Sequence, residues 1–321
     1  MIDIHKTKKR AAAISVVSNT CLVIFKLVVG VMIGSVAVIS EAIHSAMDLV
    51  AAVIALFAVK ASAKPADEDH AYGHEKVENI AGTIEALLIF LAAIWIIYEA
   101  ASRIYSLGSG ERGGVSLPLI GVAVMGVSAL VNWRVSANLF RVGRQTDSIA
   151  LQADAWHLRT DVWTSLGVMG GLLLMFVGGV VIGWLSLSEE TKALWQARLH
   201  WIDPIAAIVV AVFIMKAAWD LTVKSTRDLT DRNLPRDEVA WIRSLLERHA
   251  PAVHGFHKIR TRKAGARRFV DFHIWVEPNM TVETSHRLAH HLAGDIEKHF
   301  GLCSVTVHVE PCHGNCEFGK H

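Results

Sequence analysis

The chain has 321 residues, of which 52% are hydrophobic and 19% are charged, and its mean hydropathy is +0.38. This composition is typical of a membrane protein and excludes an ordinary soluble enzyme as the first interpretation. The formal net charge of +2 gives no reason to expect a nucleic-acid partner. Four cysteines are too few for a disulfide scaffold, whereas eleven of the seventeen histidines follow residue 225, which favours metal binding.

Apolar blocks dominate the first two thirds of the chain. A helix needs roughly 20 apolar residues to cross a bilayer. Six stretches approach that length, and we predict that they form a six-helix transmembrane bundle within residues 1–224: 11–34, 37–60, 79–105, 115–140, 149–184 and 203–223.

The distribution of lysine and arginine predicts the orientation of this bundle. Basic residues cluster before the first predicted span and after the second, fourth and sixth. The positive-inside rule then places both termini in the cytoplasm. We expect a multi-pass protein of the cell's inner (plasma) membrane, with its short charged N-terminus retained because no signal-peptide cleavage site follows it.

Two predicted spans carry ionisable residues with the same spacing. The second contains His44 and Asp48, and the fifth contains His157 and Asp161. Residues four apart lie one above the other on a helix, so each helix offers one imidazole and one carboxylate to a common point. Two such helices supply the two nitrogens and two oxygens of a tetrahedral zinc site, although each pair could also satisfy itself within the bundle.

The loop after the second span has a similar pattern. It reads PADEDHAYGHEKVE and contains Asp67, His70 and His74. Either the three side chains bind a metal ion together or the segment is a solvated polar loop.

Residues 225–321 have the pattern of a soluble domain. An amphipathic helix in DEVAWIRSLLERH precedes two strands joined by KAGA, then a second helix in VETSHRLAHHLAGDIEKHF and a third strand in CSVTVHVEP. The order α-β-β-α-β predicts a small cytoplasmic α+β domain, ferredoxin-like, with its helices on one face of a three-stranded sheet.

Histidines and a glutamate recur on the strands of this domain. His308 and Glu310 share one face of the third strand, and His257 and His273 lie on the two strands before it, so four ligands can converge on one sheet surface. The remaining histidines show no such grouping and are expected at the surface: His249, His254, His290, His291 and His299.

The last ten residues read CHGNCEFGKH. Thiolates and imidazoles together suit Zn²⁺ or Cd²⁺, and the candidate ligands are Cys312, His313, Cys316 and His321. A tail that binds no metal is equally compatible with the pattern.

The sequence resembles the cation diffusion facilitators, a family of proton-coupled metal exporters, and most of all its bacterial YiiP-type zinc/iron efflux pumps. The resemblance covers nearly the whole chain and rests on the two His-x-x-x-Asp spans, GSVAVISEAIHSAMDL, the loop PADEDHAYGHEKVE and LTDRNLP. It implies a homodimer with one transported ion per chain at His44, Asp48, His157 and Asp161. Those pumps have aspartate at the position of His44, so histidine here favours zinc, with cadmium and iron as alternatives.

The resemblance also implies roles for residues outside the membrane. It implies a second zinc ion at Asp67, His70 and His74. It implies a binuclear zinc site on the cytoplasmic domain, with His286 joining the four ligands on the strands. Lys76 and Asp231 would form a charge pair between the two chains.

These observations predict a proton-coupled antiporter that exports a divalent metal, with Zn²⁺ as both transported and structural ion. Its mechanism would be alternating access, and it would be a secondary transporter with no catalytic residues rather than an enzyme. Two other classes stay open at this point, namely a membrane-bound metal sensor without transport and an intramembrane metalloenzyme. Against the metalloenzyme, the sequence has no His-Glu-x-x-His motif, and four protein ligands leave no position for a catalytic water.

Overall fold

We analysed a computed structural model that describes residues 4–33, 36–108, 119–184, 201–314 and 316. The backbone of His44 lies within a described helix, but its side chain lies outside the described part.

The described residues before 230 form six long helices, which correspond to the six predicted stretches. They are α1 (Ile4–Ile33), α2 (Val36–Ser62), α3 (Lys76–Gly108), α4 (Leu119–Gln145), α5 (Ile149–Trp184) and α6 (Ile202–Leu229). Most of these helices are longer than the predicted stretches, with the largest extensions at a single end in α1 and α6. The charged N-terminal segment is the first part of α1, and α6 continues past residue 224 to Leu229.

Within the described residues, three helical segments are long and apolar enough to cross a membrane by length and composition: 4–32, 45–62 and 76–102. The sequence predicts six spans.

The bundle packs through small residues. Ala52 and Ala55 of α2, Ala86 of α3 and Ala155 of α5 are fully buried. Small side chains let helix backbones approach closely, which is how helices associate in a lipid environment. Many large apolar side chains lie outside, among them Val31, Phe57, Leu91, Trp95 and Phe213.

The residues that follow form the predicted α-β-β-α-β order. The elements are α7 (Arg236–Glu247), β1 (Gly255–Ala264), β2 (Arg267–Val276), α8 (Val282–Phe300) and β3 (Cys303–Pro311). The sheet order is β1-β2-β3, with β1 and β2 antiparallel. The pair β2 and β3 is parallel, and α8 provides the crossover that a parallel pair requires.

A core of large apolar residues lies between this sheet and both helices. Phe272 and Ile274 of β2 pack in one cluster with Leu246 of α7 and with Leu292 and Ile296 of α8. Successive residues of a strand point to opposite faces. His273 and Trp275 therefore face away from the helices, on the second side of the sheet.

The β1–β2 turn docks on the start of α3. The backbone N–H of Gly265 donates to Asn79 Oδ1 at 2.8 Å, and Arg267 Nε lies 2.6 Å from Glu75 Oε1. Gly265 has a φ of +54°, and a Cβ there would lie 2.8 Å from the carbonyl oxygen of Glu75. Glycine is therefore required by both conformation and space at this contact between the bundle and the sheet.

Candidate metal centres

A buried ligand cluster lies between α2 and α5. His157 Nε2 is 3.2 Å from Asp48 Oδ1, and one ligand atom from each of Asp48, His157 and Asp161 lies within 4.8 Å of the others. Only 4% of the Asp48 side chain and 15% of the His157 side chain are exposed. A tetrahedral zinc ion holds its ligand atoms about 3.4 Å apart, given Zn–N and Zn–O bonds of about 2.1 Å. The Asp48–His157 separation already matches that spacing.

Helix geometry explains why these residues meet. His157 and Asp161 are one turn apart on α5, and α2 packs against α5 at the position of Asp48. His44 lies one turn before Asp48 on α2, in the position the spacing predicts, although its side chain is outside the described part.

One buried carboxylate near this cluster is absent from the sequence prediction. Asp154 is fully buried and precedes His157 by one helical turn, close enough to interact with it electrostatically. The signal was present in the sequence, because residues three apart also share a helix face.

The loop cluster lies between α2 and α3 and is open to solvent. Asp67 Oδ1 accepts a hydrogen bond from the His70 backbone N–H at 2.8 Å, and Asp67 Oδ2 lies 3.3 Å from His74 Nε2. The backbone hydrogen bond from His70 is the main reason that the pKa of Asp67 is below its ordinary value. The two imidazole centroids are 4.4 Å apart, so the three predicted ligands are brought together around an ionised carboxylate.

Strand register builds the third cluster, on the face of the sheet away from the helices. His257 of β1 pairs with His273 of β2, which in turn pairs with His308 of β3. Glu310 lies 3.0 Å from His257 Nε2 and 2.7 Å from His273 Nδ1, and it accepts a hydrogen bond from Trp275 Nε1 at 3.1 Å. The hydrogen bond with His273 is the main cause of a lowered pKa for Glu310, which keeps this carboxylate ionised.

His308 and His286 differ in their position relative to that cluster. His308 is at its rim, 3.6 Å from Glu310 and mostly exposed. His286 lies on α8, which packs on the opposite face of the sheet from His273, and within this chain it is not grouped with the strand ligands.

The C-terminal tail carries four predicted ligands, of which the structure describes Cys312, His313 and Cys316. Cys312 and Cys316 are joined by a disulfide, so in this form neither sulfur is a free thiolate ligand. His313 is exposed and belongs to none of the ligand groups in the described part of the chain, and His321 lies outside it.

Lys76 and Asp231, the residues of the predicted charge pair, are in contact within one chain. Lys76 Nζ lies 2.9 Å from Asp231 Oδ1, and Arg262 Nη1 of β1 lies 3.3 Å from the same oxygen. The hydrogen bond from Lys76 is the first cause of a lowered pKa for Asp231. Because Lys76 begins α3 and Asp231 follows α6, the contact ties the end of the bundle to the sheet.

Sequence reasoning also missed two groups of residues. Lys8 and Glu78 form a buried ion pair at 2.7 Å, and Glu78 also accepts hydrogen bonds from Ser62 and Ser148. His249, His291 and Asp295 form a fourth ligand cluster. The sequence prediction placed both histidines at the surface without a role, because His249 joins the other two only through tertiary packing.

A helical bundle with buried metal ligands between two helices, joined to a small domain with further ligand clusters, defines a membrane cation transporter. Residues 12–230 match the family described as the cation efflux transmembrane domain, and residues 234–312 match the cation efflux protein cytoplasmic domain. The chain belongs to this family, the cation diffusion facilitators, and is a cation efflux transporter rather than an enzyme.

Its relatives span nearly the same length. An uncharacterized transporter of Synechocystis sp. is 32% identical over 87% of this chain and 82% of its own. The cation-efflux pump FieF of Cronobacter sakazakii is 28% identical over 97% and 95%, respectively. A solved structure of CzrB, described as a candidate zinc transporter in its zinc form, is 38% identical and covers 27% of this chain and 98% of its own, with a TM-score of 0.25.

Proposed function

We propose that this protein exports Zn²⁺ from the cytoplasm in exchange for protons, with the ion bound in transit by Asp48, His157, Asp161 and His44. The observation that carries the proposal is the buried cluster between α2 and α5, in which His157 and Asp48 lie at zinc-ligand spacing. Cd²⁺ and Fe²⁺ are the alternatives for the same site.

The ligand types favour zinc. Imidazole nitrogens suit Zn²⁺ and its neighbours, whereas Mg²⁺ and Ca²⁺ prefer sites made only of oxygen. With His44 included, the set is two nitrogens and two oxygens, which closes a tetrahedral shell. A closed shell suits an ion in transit, because it replaces the water that the ion must leave behind.

The same ligands give a reason for proton coupling. Zinc needs neutral imidazole and ionised carboxylate, so metal and protons compete for the same atoms. An empty site with Asp48 and Asp161 both ionised would place two uncompensated charges within the bilayer, which is costly. Proton uptake on the return stroke relieves that cost and makes the exchange of metal for protons the natural cycle.

The rest of the proposal concerns the assembly. Helices α1–α6 cross the membrane with both termini in the cytoplasm, and two chains form a homodimer through the cytoplasmic domain, whose ferredoxin-like fold is part of the proposal. The strand cluster of three histidines and Glu310 fits structural zinc, because an ionised carboxylate there is already held by two imidazoles. The loop cluster at Asp67 would hold another zinc ion.

Mutation of the two carboxylates tests the membrane site. Asp48→Ala or Asp161→Ala, purified and reconstituted in liposomes, should lose zinc uptake down to the level of empty liposomes, because a dehydrated dication would be left one ligand short. Asp237→Asn, which alters an exposed carboxylate at the start of α7, should transport like the wild type. Gel filtration checks that all three variants remain folded and assembled. Wild-type zinc flux in either alanine variant would exclude this cluster as the transport site.

A further inference from the structure

A fourth group of metal ligands lies on the helical side of the cytoplasmic domain. His249 follows the end of α7, and His291 and Asp295 lie one turn apart on α8. One ligand atom from each residue lies within 4.8 Å of the others. The spacing of His291 and Asp295 repeats, outside the bundle, the His-x-x-x-Asp pattern of α2 and α5.

The two imidazoles and the carboxylate face one another. The ring centroids of His249 and His291 are 5.5 Å apart with planes at 68°. His291 Nε2 lies 3.6 Å from Asp295 Oδ2. All three groups therefore border one space between the end of α7 and the outer surface of α8.

A hydrogen bond to the backbone fixes the ring of His249. His249 Nδ1 lies 2.8 Å from the carbonyl oxygen of Leu245, which can only accept, so Nδ1 carries the proton and Nε2 keeps its lone pair for a metal. Asp295 Oδ1 lies 3.8 Å from Lys298 Nζ, while Oδ2 is the oxygen on the His291 side. Metal-binding histidines in proteins ordinarily donate their other ring N–H to a carbonyl or carboxylate, as His249 does.

This group is separate from the strand cluster. The neighbours of its α8 members, Leu292 and Ile296, are buried in the core between the helices and the sheet, whereas His273 faces the other side of that sheet. The sheet and its core therefore separate the two groups, and they cannot share an ion. The site is also open to solvent, since 61% of the His291 side chain and 28% of the Asp295 side chain are exposed.

We propose that His249, His291 and Asp295 form an additional cytoplasmic binding site for a divalent transition metal of the zinc class. Two imidazoles exclude Mg²⁺ and Ca²⁺ as preferred ions, and three protein ligands leave a fourth position for water. A bound ion would link the end of α7 to α8, which are otherwise joined through the apolar core. The site is independent of the transport cluster and does not require that the protein transport zinc.

Zinc binding by the full-length protein in detergent tests this site. Equilibrium dialysis should show that His291→Ala binds one Zn²⁺ fewer per chain than the wild type at zinc concentrations that fill the wild-type sites. Asp295→Asn should raise the dissociation constant of that one zinc ion by about 10- to 100-fold or more. Loss of a group that only orients a metal ligand already has an effect of this size. The matched control is His290→Ala, which removes the exposed neighbouring imidazole of α8 and should bind as the wild type does.

A local readout separates this ion from those at the other clusters. Zinc should slow amide hydrogen exchange across residues 244–250 in the wild type and in His290→Ala, but not in His291→Ala or Asp295→Asn. Both substituted side chains lie on the outer surface of α8, so the fold should not depend on them. Equal zinc stoichiometry in wild type and His291→Ala, or zinc-dependent protection that persists in that variant, would overturn the assignment. Loss of the same equivalent in His290→Ala would also overturn it, since the ion would then be bound elsewhere on α8.

Discussion

The transmembrane bundle and the cytoplasmic domain differ in the side chains that they expose. In the bundle, small residues such as Ala52 pack in the interior with a few large ones such as Leu139, and many large apolar side chains such as Phe213 lie outside. In the cytoplasmic domain, Phe272 and Ile274 fill the interior and the outer sheet face is polar. The bundle therefore exposes apolar side chains, which are compatible with lipid, and the cytoplasmic domain exposes polar side chains, which are compatible with water.

The same difference decides where each region holds its proposed metal ligands. In the bundle, Asp48 and His157 are enclosed between helices, because an ionisable group facing lipid would be too costly. In the cytoplasmic domain, the ligands lie on the outer sheet face around Glu310 and on the outer side of α8 around Asp295. An enclosed site is suited to transit and an open one to exchange with the cytoplasm.

Ion pairs test this comparison. Removal of one partner of the buried pair in the bundle should cause the largest loss of stability. Lys8 and Glu78 are almost completely buried, and they join α1 to α3. Glu78→Gln leaves the ammonium of Lys8 without its countercharge, which typically costs about 3–5 kcal/mol of stability. Denaturation of the detergent-solubilised protein would measure this loss.

A double variant provides the control for that prediction. Lys8→Met with Glu78→Met removes both charges together, so it should destabilise the bundle less than Glu78→Gln alone. A Glu78→Gln variant as stable as the wild type would show that Lys8 and Glu78 are hydrated rather than buried against each other.

Removal of one partner of the exposed ion pair where the bundle meets the sheet should cause the smallest loss of stability. The side chains of Lys76 and Asp231 are 36% and 50% exposed, and Arg262 also contacts Asp231. Lys76→Met should therefore cost about 1 kcal/mol or less at neutral pH. A loss as large as that of Glu78→Gln would contradict the distinction between buried and exposed pairs.

The stability that the Lys76–Asp231 pair contributes should decrease as the pH is lowered. The folded protein holds the pKa of Asp231 below its ordinary value, chiefly through the hydrogen bond from Lys76. The stabilisation is thus fully present above the unfolded pKa of about 3.9 and is lost as the pH falls through the lower folded value. The stability difference between wild type and Lys76→Met should shrink below about pH 4. A difference that grows in acid would exclude this pairing.

Local spacing in the sequence predicted much of the site. Residues four apart on one helix, such as His157 and Asp161, and residues two apart on one strand, such as His308 and Glu310, share a face by backbone geometry alone. The alternation of β2 likewise predicted which side of the sheet His273 occupies, and the element order of the cytoplasmic domain followed from periodicity and turn residues.

Local spacing could not predict contacts between segments that are distant in the sequence. The sequence did not reveal that His249 would meet α8, or that Lys8 would be buried against Glu78, because both contacts depend on how helices pack. The resemblance implied a charge pair of Lys76 and Asp231 between two chains, and within one chain the two side chains are also in contact. Cys312 and Cys316, two of the predicted tail ligands, are joined by a disulfide that their spacing alone did not indicate.

Coupled measurement of zinc and proton movement tests the central proposal most directly. Proteoliposomes that contain the wild-type protein, a zinc dye and a pH dye should accumulate zinc against its own gradient when a proton gradient is imposed. Each zinc pulse should also drive protons to the opposite side, and Asp161→Ala should abolish both signals together. Zinc flux that continues unchanged when the proton gradient is collapsed, with no proton counterflow, would contradict metal–proton exchange at the cluster of Asp48, His157 and Asp161.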